Sequence, residues 1–514
     1  LEIEAQPVTI QSIESGFDGR IYMGGYQRGM SVYNPFTGEI DVNISSFPQP
    51  EGIGFLNEHV YYGTYVGAVM YKYDPTKPVV LNENPGLTFD FEHQDRPFVI
   101  TSGDNKLFVG TVADYGFLTG AIGVYDEATD TWTQYDNVSE NRSIMGLAYK
   151  DGLLYGGTTV WGGLGIDPIE SEATIFVWDV ANERKVEEFT LDDLEIDETP
   201  RMIGHLAFGP DGLLWGVVDG TIFAMDVTTK EIVKQKMIRP SLYNSSKVLG
   251  YELVWGPDGM LYTTLSRKLI GIDPETLNYK VIYDGFVNVM TVGIDGSIYF
   301  VPEAGSKLSR IAVPETDATL ATIVVDGEVI DGFSPGVLKY ETELANDSVI
   351  VGVPKQPGAT VQGQDLRDTL GVVNLIVTAT DGKSSLTYTI KNVDTKRPAT
   401  LTLSAPELVT KDSTFTVTVD IADAKDLYAV HAKLNYDATK LQLINAVRGD
   451  FGNGSGFIQY VDNPATGTLS LIATNVGEEG FTGAGTLAVL TFKAIAEQGN
   501  ASIVLSGTST LALS

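Results

Sequence analysis

Three arginines, two histidines and several aromatic residues stand out in this chain as side chains that could act on a substrate. Arg96, Arg142 and Arg201 lie in an otherwise acidic sequence, with 34 Lys+Arg against 67 Asp+Glu and a formal charge of −33. A guanidinium pairs bidentately with a carboxylate, so such a set suits an anionic sugar. Cleavage of a uronate polymer by β-elimination makes three demands. The carboxylate must be neutralised so that the α-proton becomes acidic, a base must take that proton, and an acid must protonate the leaving oxygen. Arg96, Arg142 and Arg201 fit the first demand, and His93, His205 and Tyr115 fit the other two. Tyr26, Tyr65 and Trp161 offer rings to sugar faces, and Arg28, Glu51, Gln94, Tyr251 and Glu252 complete a candidate substrate-binding set. Each has a plainer reading. His93 can be a hydrogen-bonded connector, and His205, within RMIGHLAFG, a core or channel-lining residue. Arg142 and Arg201 can be scaffold ion pairs, and Trp161 loop packing.

The elements that must position these residues are short strands in a long repeat. The plainest copy, Gly209 to Glu231, reads as strand, Asp-Gly turn, strand, small loop, strand and polar turn. An aromatic residue marks its second strand, and equivalents stand at Tyr22, Tyr61, Phe108, Tyr155, Trp215, Tyr262 and Tyr299. A recurrence of about 40–50 residues with four short strands per unit is the pattern of a β-propeller blade. Seven blades are expected, at about 10–50, 51–94, 95–141, 142–200, 201–248, 249–286 and 287–316. The last shows three strands, and residues 1–9 are expected to complete it, removing the free sheet edge. First-to-second turns such as FDGR, GPDG and IDG are short, and Asp-Gly pairs tolerate the positive φ they need. The third-to-fourth turns NPFTGE, DPTKP, DEATD and DVTTKE read as short too and share that face. The opposite face carries two swollen loops, VADYGFLTGA from Val112 and TTVWGGLGIDPIESEA from Thr158. The candidate residues gather on that face, where function on a rigid scaffold tends to sit.

Composition bounds the rest. With 514 residues, 43% hydrophobic and 20% charged, the chain is a folded multidomain protein, and its scarce helical periodicity makes it all-β. The negative charge argues against nucleic acid or an anionic membrane surface as partner. No apolar run reaches the ~20 residues of a membrane span. Cysteine is absent, which fits a secreted or cell-surface bacterial protein better than a disulfide-dependent one. The chain opens at Leu1 without a signal peptide, as a mature or trimmed form would. No HExxH or CxxC spacing marks a metal site. Calcium is the one cofactor the sequence admits, at DPIESE from Asp167, against the plainer reading of a solvated acidic loop. Asp179, Asp226 and Asp273 recur at one blade position, as a turn device would.

After Thr316 the repeat stops. Residues 318–395 alternate with period two between Gly and Pro turns, as a small β-sandwich does. Phe333-Ser334-Pro335-Gly336, Tyr340, Ala379-Thr380-Asp381-Gly382 and Tyr388-Thr389-Ile390 make this stretch resemble the bacterial cadherin-like module, which implies a spacer. Residues 396–514 alternate again. Asp426-Leu427-Tyr428, Leu434-Asn435-Tyr436-Asp437, Lys440-Leu441, Ala473-Thr474-Asn475, Gly485-Thr486-Leu487-Ala488 and Thr491-Phe492-Lys493 resemble a cohesin domain, which implies a jelly roll and a dockerin-type partner through residues 399–514. Residues 1–317, in repeat style and candidate chemistry, resemble the propeller-type polysaccharide lyases, which implies a carbon–oxygen lyase. The expected fold is therefore all-β: a seven-bladed propeller, then two β-sandwich domains. The expected function is action on an acidic, uronate-containing polysaccharide. The alternative is a noncatalytic extracellular scaffold whose propeller binds glycan or protein.

Overall fold

A computed structural model describes the whole chain except residues 1–7, 241–251, 304, 343, 345–347, 365–370, 393–398, 452–457, 475–480, 498, 507–509 and 514. The chain divides into two compact units, Leu1–Asn392 and Val393–Ser514. Apart from a 3-10 turn at Pro314–Thr316, the described regular structure is β-strand.

In the first unit, strands that follow one another in sequence pair antiparallel, giving the fan of a blade seven times over. The innermost strands are Ile10–Ser15, the end of Glu39–Leu56, Gln94–Gly103, Ser143–Lys150, Gly204–Phe208, Leu253–Trp255 and Val287–Val292. Each packs against the next, and Ile10–Ser15 returns to Val287–Val292, so the ring closes. The Ile10 N–H donates to the Gly305 carbonyl at 3.0 Å, and Asn288 Nδ2 donates to the Ile10 carbonyl at 2.8 Å. Of residues 1–9, expected to complete the last blade, 1–7 lie outside the described residues, and Val8 and Thr9 belong to no strand. Three strands of that blade are described: Val287–Val292, Ile298–Pro302 and Ser309–Ile311.

The crossover from blade 1 to blade 2 is a strand rather than a loop. Glu39–Leu56 pairs with Arg28–Asn34 up to Pro48 and with His59–Tyr65 from Gln49 onward. Pro48 and Pro50 bracket the handover. A proline has no N–H for a ladder, so it sits comfortably where a strand leaves one sheet for another.

The repeat aromatics are all buried, and the turn ahead of them explains their spacing. In four blades the turn aspartate accepts a hydrogen bond from the aromatic four residues later: Asp18 from the Tyr22 hydroxyl (2.8 Å), Asp211 from the Trp215 indole (3.1 Å), Asp258 from the Tyr262 hydroxyl (2.7 Å) and Asp295 from the Tyr299 hydroxyl (3.0 Å). The same carboxylates accept the backbone N–H two residues on, at Arg20, Leu213, Met260 and Ser297. The glycine after the aspartate, as at Gly296, takes φ +72°, and a Cβ there would meet Thr316 Oγ1 at 1.9 Å. One carboxylate thus fixes the turn and the polar end of a core side chain. Tyr299→Phe should cost about 1.5–3 kcal/mol, the worth of a hydrogen bond to a charged group. Urea unfolding followed by tryptophan fluorescence checks this, because all five tryptophans lie between Trp132 and Trp255. An unchanged midpoint would remove the aspartate–aromatic bond from the account.

One connection departs from expectation. DPTKP reads as a complete third-to-fourth turn, yet the link from strand Val69–Tyr73 to strand Gly86–Asp90 runs from Asp74 to Pro85. The reason is Asn84, buried and hydrogen-bonded both ways. Its Nδ2 donates to the carbonyls of Asp74, Lys77 and Pro78, and its Oδ1 accepts the Asp74 N–H. A residue six positions after the end of the apparent turn therefore folds the whole segment back on itself.

Residues beyond the propeller form a small sandwich within the same unit. Leu320–Val325 lies between Glu328–Val329 and Ile350–Pro354, facing a sheet of Lys339–Thr342, Ser385–Asn392, Val372–Thr378 and Thr360–Gln362. Its core includes Leu320, Ile323, Tyr340, Leu375 and Tyr388. The Tyr388 hydroxyl donates to the Pro335 carbonyl at 2.6 Å and accepts the Leu320 N–H at 3.0 Å. Lys355 Nζ lies over the Phe36 ring at 5.4 Å, and the Asp381 N–H donates to the Glu315 carbonyl, joining this sandwich to the propeller's short-turn face.

The second unit is a β-sandwich built on one long strand, Thr414–Tyr436. It pairs with Phe481–Ala494 along its first half and with Thr468–Thr474 along its second, shifting register between Val419 and Leu427. Those shifts let one strand serve two layers, as strand irregularities do at sandwich corners. Val417, Val419, Leu434, Leu469, Leu471, Leu487 and Phe492 fill the core. The GNGSG loop from Gly452, Asn475 and the Asp426 side chain lie outside what is described.

Candidate functional site

The long-loop face of the propeller holds two clusters. The first spans blades 1 to 3. Arg96 Nη1 donates to Glu51 Oε1 at 2.6 Å, its Nε lies 3.4 Å from Asp95 Oδ2, and its guanidinium covers the Tyr65 ring at 4.0 Å. Gln49 Nε2 donates to the same Glu51 oxygen at 2.7 Å, and Gln49 Oε1 accepts the Gln27 N–H at 2.6 Å. The Tyr26–Gln27 turn is thereby tied to the cluster, with Tyr26, Gln27 and Arg28 exposed. Burial pushes the Glu51 carboxyl above the ordinary value, and Arg96 works against that shift.

The second cluster belongs to blades 3 to 5. His93 is exposed, has φ +57°, and stacks on Phe117 with ring centroids 4.6 Å apart. The two swollen loops interlock beside it: the Gly116 N–H donates to the Leu164 carbonyl at 2.9 Å, and the Gly163 N–H to the Phe117 carbonyl at 2.8 Å. Gly163 permits this contact, since a Cβ there would meet Asp114 O at 1.9 Å. Tyr115, Phe117, Leu164 and Ile169 are left exposed, with Tyr115 at 69%. Behind them the Arg201 guanidinium covers the Trp161 ring at 4.5 Å. Asp219 feels Arg201 as well, though burial first and Glu198 second push its pKa up.

The remaining candidates have other settings. Gln94 is buried, accepting from Thr111 Oγ1 at 2.6 Å and donating to the Thr119 carbonyl. It pins the loop rather than facing a ligand. Arg142 donates to the carbonyls of Glu172 and Glu140 and pairs with Glu170 at 3.3 Å, which makes it a brace for the long loop of blade 4. His205 and Glu252 sit at the innermost strands, half-buried. Burial lowers His205 to about 4 and raises Glu252 to about 7. Glu14, also on an innermost strand, is pushed well up by burial and by the charge of Glu252. Tyr251 lies outside the described residues. Among those described, no hydrogen bond, ion pair or ring contact links any two of Arg96, Arg142 and Arg201.

Sequence reasoning passed over Phe117, Leu164, Asp219 and Glu14. Glycine-flanked apolar residues in a long loop were a signal for the first two. Nothing local marks Glu14, whose partner is more than two hundred residues away. For metals, no group of three or more His, Cys, Asp or Glu residues placed to hold an ion occurs among the described residues. Asp179, Asp226 and Asp273 cap their turns, accepting the N–H of Asn182, Thr228 and Glu275 respectively. No described helix is long and apolar enough to cross a membrane.

No curated protein matches the chain. Among solved structures, the Cps50 (Swd1) β-propeller domain of Myceliophteria thermophila is similar at 9% identity and a TM-score of 0.43, covering 60% of this chain and 98% of that one. A type II cohesin–X–dockerin complex from Acetivibrio cellulolyticus is similar at 18% identity and a TM-score of 0.20, covering 22% of this chain and 79% of that one. Residues 399–514 match the Cohesin domain family, and the C-terminal sandwich is accordingly a cohesin domain.

Proposed function

We propose that this protein is a noncatalytic extracellular scaffold. Its cohesin domain captures a dockerin-bearing protein, the cadherin-like sandwich serves as spacer, and the long-loop face of the propeller holds a glycan. The observation that carries the reading is the cohesin match over residues 399–514. The outer face of that domain supports it. Val461 and Ile472 are exposed on paired strands, and His431 bonds Ser470 beside them at 2.7 Å. Apolar residues rimmed by polar ones suit a protein interface.

The propeller's electrostatics favour holding over cleaving. Elimination calls for a cation available to a substrate carboxylate, whereas Arg96 is occupied by Glu51 and Arg142 by Glu170, and Arg201 lies over the Trp161 ring near Asp219. The exposed rings of Tyr115 and Phe117 suit sugar stacking instead.

The purified full chain, mixed with a panel of type I and type II dockerin modules, is expected to form a one-to-one complex with at least one of them. Isothermal titration should show Ile472→Asp weakening that complex at least tenfold. Absence of any complex would overturn the docking reading. In parallel, incubation with polygalacturonate and alginate should give no rise in ultraviolet absorbance from unsaturated product, and a sustained rise would restore the lyase reading.

A further inference from the structure

The opposite, short-turn face of the propeller carries a cleft of about 490 Å³ between blades 1 and 2. That volume falls within the range of small-molecule sites. It opens where the unexpected Asp74–Pro85 segment stands over the outer strands of blade 1. Its floor is polar and its wall is a rigid apolar edge of Pro75, Pro78 and Val79.

The polar floor is fixed in place. Arg20 Nε donates to Asp41 Oδ2 at 2.6 Å and its Nη1 to Asp18 Oδ2 at 2.9 Å. Asn34 Nδ2 donates to the same Asp41 oxygen at 3.2 Å, while Asn34 Oδ1 accepts the Phe36 N–H. Asp41 is exposed, and its Oδ1 takes no hydrogen bond from the described residues. Tyr73 lines the cleft from the blade 2 side. Next to it the fully buried Tyr62 hydroxyl, which feels the charges of Tyr73 and Asp18, has no hydrogen-bond partner among the described residues.

We propose that this cleft binds a neutral saccharide unit. Its charges are paired: Arg20 with Asp18 and Asp41, and Lys77 with Asp74 at 2.9 Å. It therefore offers fixed acceptors and donors without a net positive field, which suits hydroxyl groups and disfavours a uronate. Carboxylate and guanidinium edges bond sugar hydroxyls, and the proline–valine wall packs on the C–H face of a ring. The wall is preorganised, because Asn84 ties the segment to itself through four hydrogen bonds, and little ordering remains for the ligand to impose. The site is independent of the cohesin domain and of the long-loop face.

The test uses the full chain and five probes: cellotetraose, xylotetraose, mannotetraose, maltotetraose and, as an acidic control, tetragalacturonate. Isothermal titration should detect binding of at least one neutral tetrasaccharide. Asp41→Asn removes the acceptor charge while Arg20 keeps Asp18, and should weaken that binding at least tenfold. Val79→Arg, at an exposed position, should block the cleft without touching the fold and weaken it similarly. Tyr115→Ala, on the other face, should leave it unchanged. Thermal melting monitors folding, and if Asp41→Asn is misfolded, Val79→Arg decides. The proposal is overturned if no neutral probe binds, if binding survives Val79→Arg, or if it is lost only with Tyr115→Ala.

Discussion

Replacing Trp215 by alanine should destabilise the propeller by about 3–5 kcal/mol, the cost of truncating a fully buried aromatic side chain. Trp215 is fully buried in the plainest blade. Its indole N–H bonds Asp211, its ring meets Trp255 edge-on at 5.5 Å, and Lys234 Nζ covers it at 5.4 Å. The loss therefore combines a cavity with a carboxylate and an ammonium deprived of their common partner. Trp215→Phe keeps most of the volume and loses the hydrogen bond, so it should cost distinctly less. Urea denaturation monitored by the four remaining tryptophans gives both values. Equal midpoints for the two variants would show that packing around the ring is not what holds this blade.

The second large effect is a stability profile with two limbs. Glu252 titrates at about 7 in the folded chain against an ordinary 4.5, because burial disfavours its charge. A carboxyl raised in this way stabilises the fold at low pH, and the contribution is lost as pH climbs from 4.5 to about 7. His205 behaves oppositely. Burial holds it at about 4 against 6.5, so the unfolded chain takes up the proton first, and stability is lost as pH falls from 6.5 to about 4. Each shift is worth about 2–3 kcal/mol, taking 1.36 kcal/mol per pH unit and allowing for partial solvent access. Between pH 4.5 and 6.5 the two trends oppose and largely cancel, so each limb shows in full only when the other group is removed, and Glu14, raised as well, adds to the loss as pH climbs. Glu252→Gln should recover about 2–3 kcal/mol at pH 8 and leave the acid limb intact. It should also lower the Glu14 pKa by removing a like charge. His205→Gln should flatten the acid limb alone. Urea midpoints measured from pH 4 to pH 8 test both; a Glu252→Gln chain no more stable than the parent at pH 8 would refute the assignment.

Residues close in sequence were the legible ones. The aspartate–glycine turns and the aromatics four residues after the aspartate announced the blades, because one carboxylate serves both within a single hairpin. The swollen loops at Val112 and Thr158 were visible as breaks in the repeat. In the candidate site, the residues' partners were not legible. Arg96 looked like a cation awaiting a substrate carboxylate, and Glu51, forty-five positions earlier, already holds it. Arg142 had two readings, substrate cation or scaffold ion pair, and its bonds to Glu170 and the Glu172 carbonyl fit the second, bracing the loop that follows it. DPTKP looked like a finished turn until Asn84 drew a longer segment around itself.

The division has a physical cause. Strand alternation, turn chemistry and repeat length are set by backbone geometry over a few residues, so the sequence alone determined an all-β chain with a propeller followed by sandwiches. Charge pairing and pKa depend on distance in space. Glu14 and Glu252 interact because their strands belong to one closed ring, and Arg20 and Asp41 face the Pro75–Val79 wall because adjacent blades pack side by side. Which arginine is neutralised, which carboxyl stays protonated and where a cleft opens were decided only by the tertiary structure.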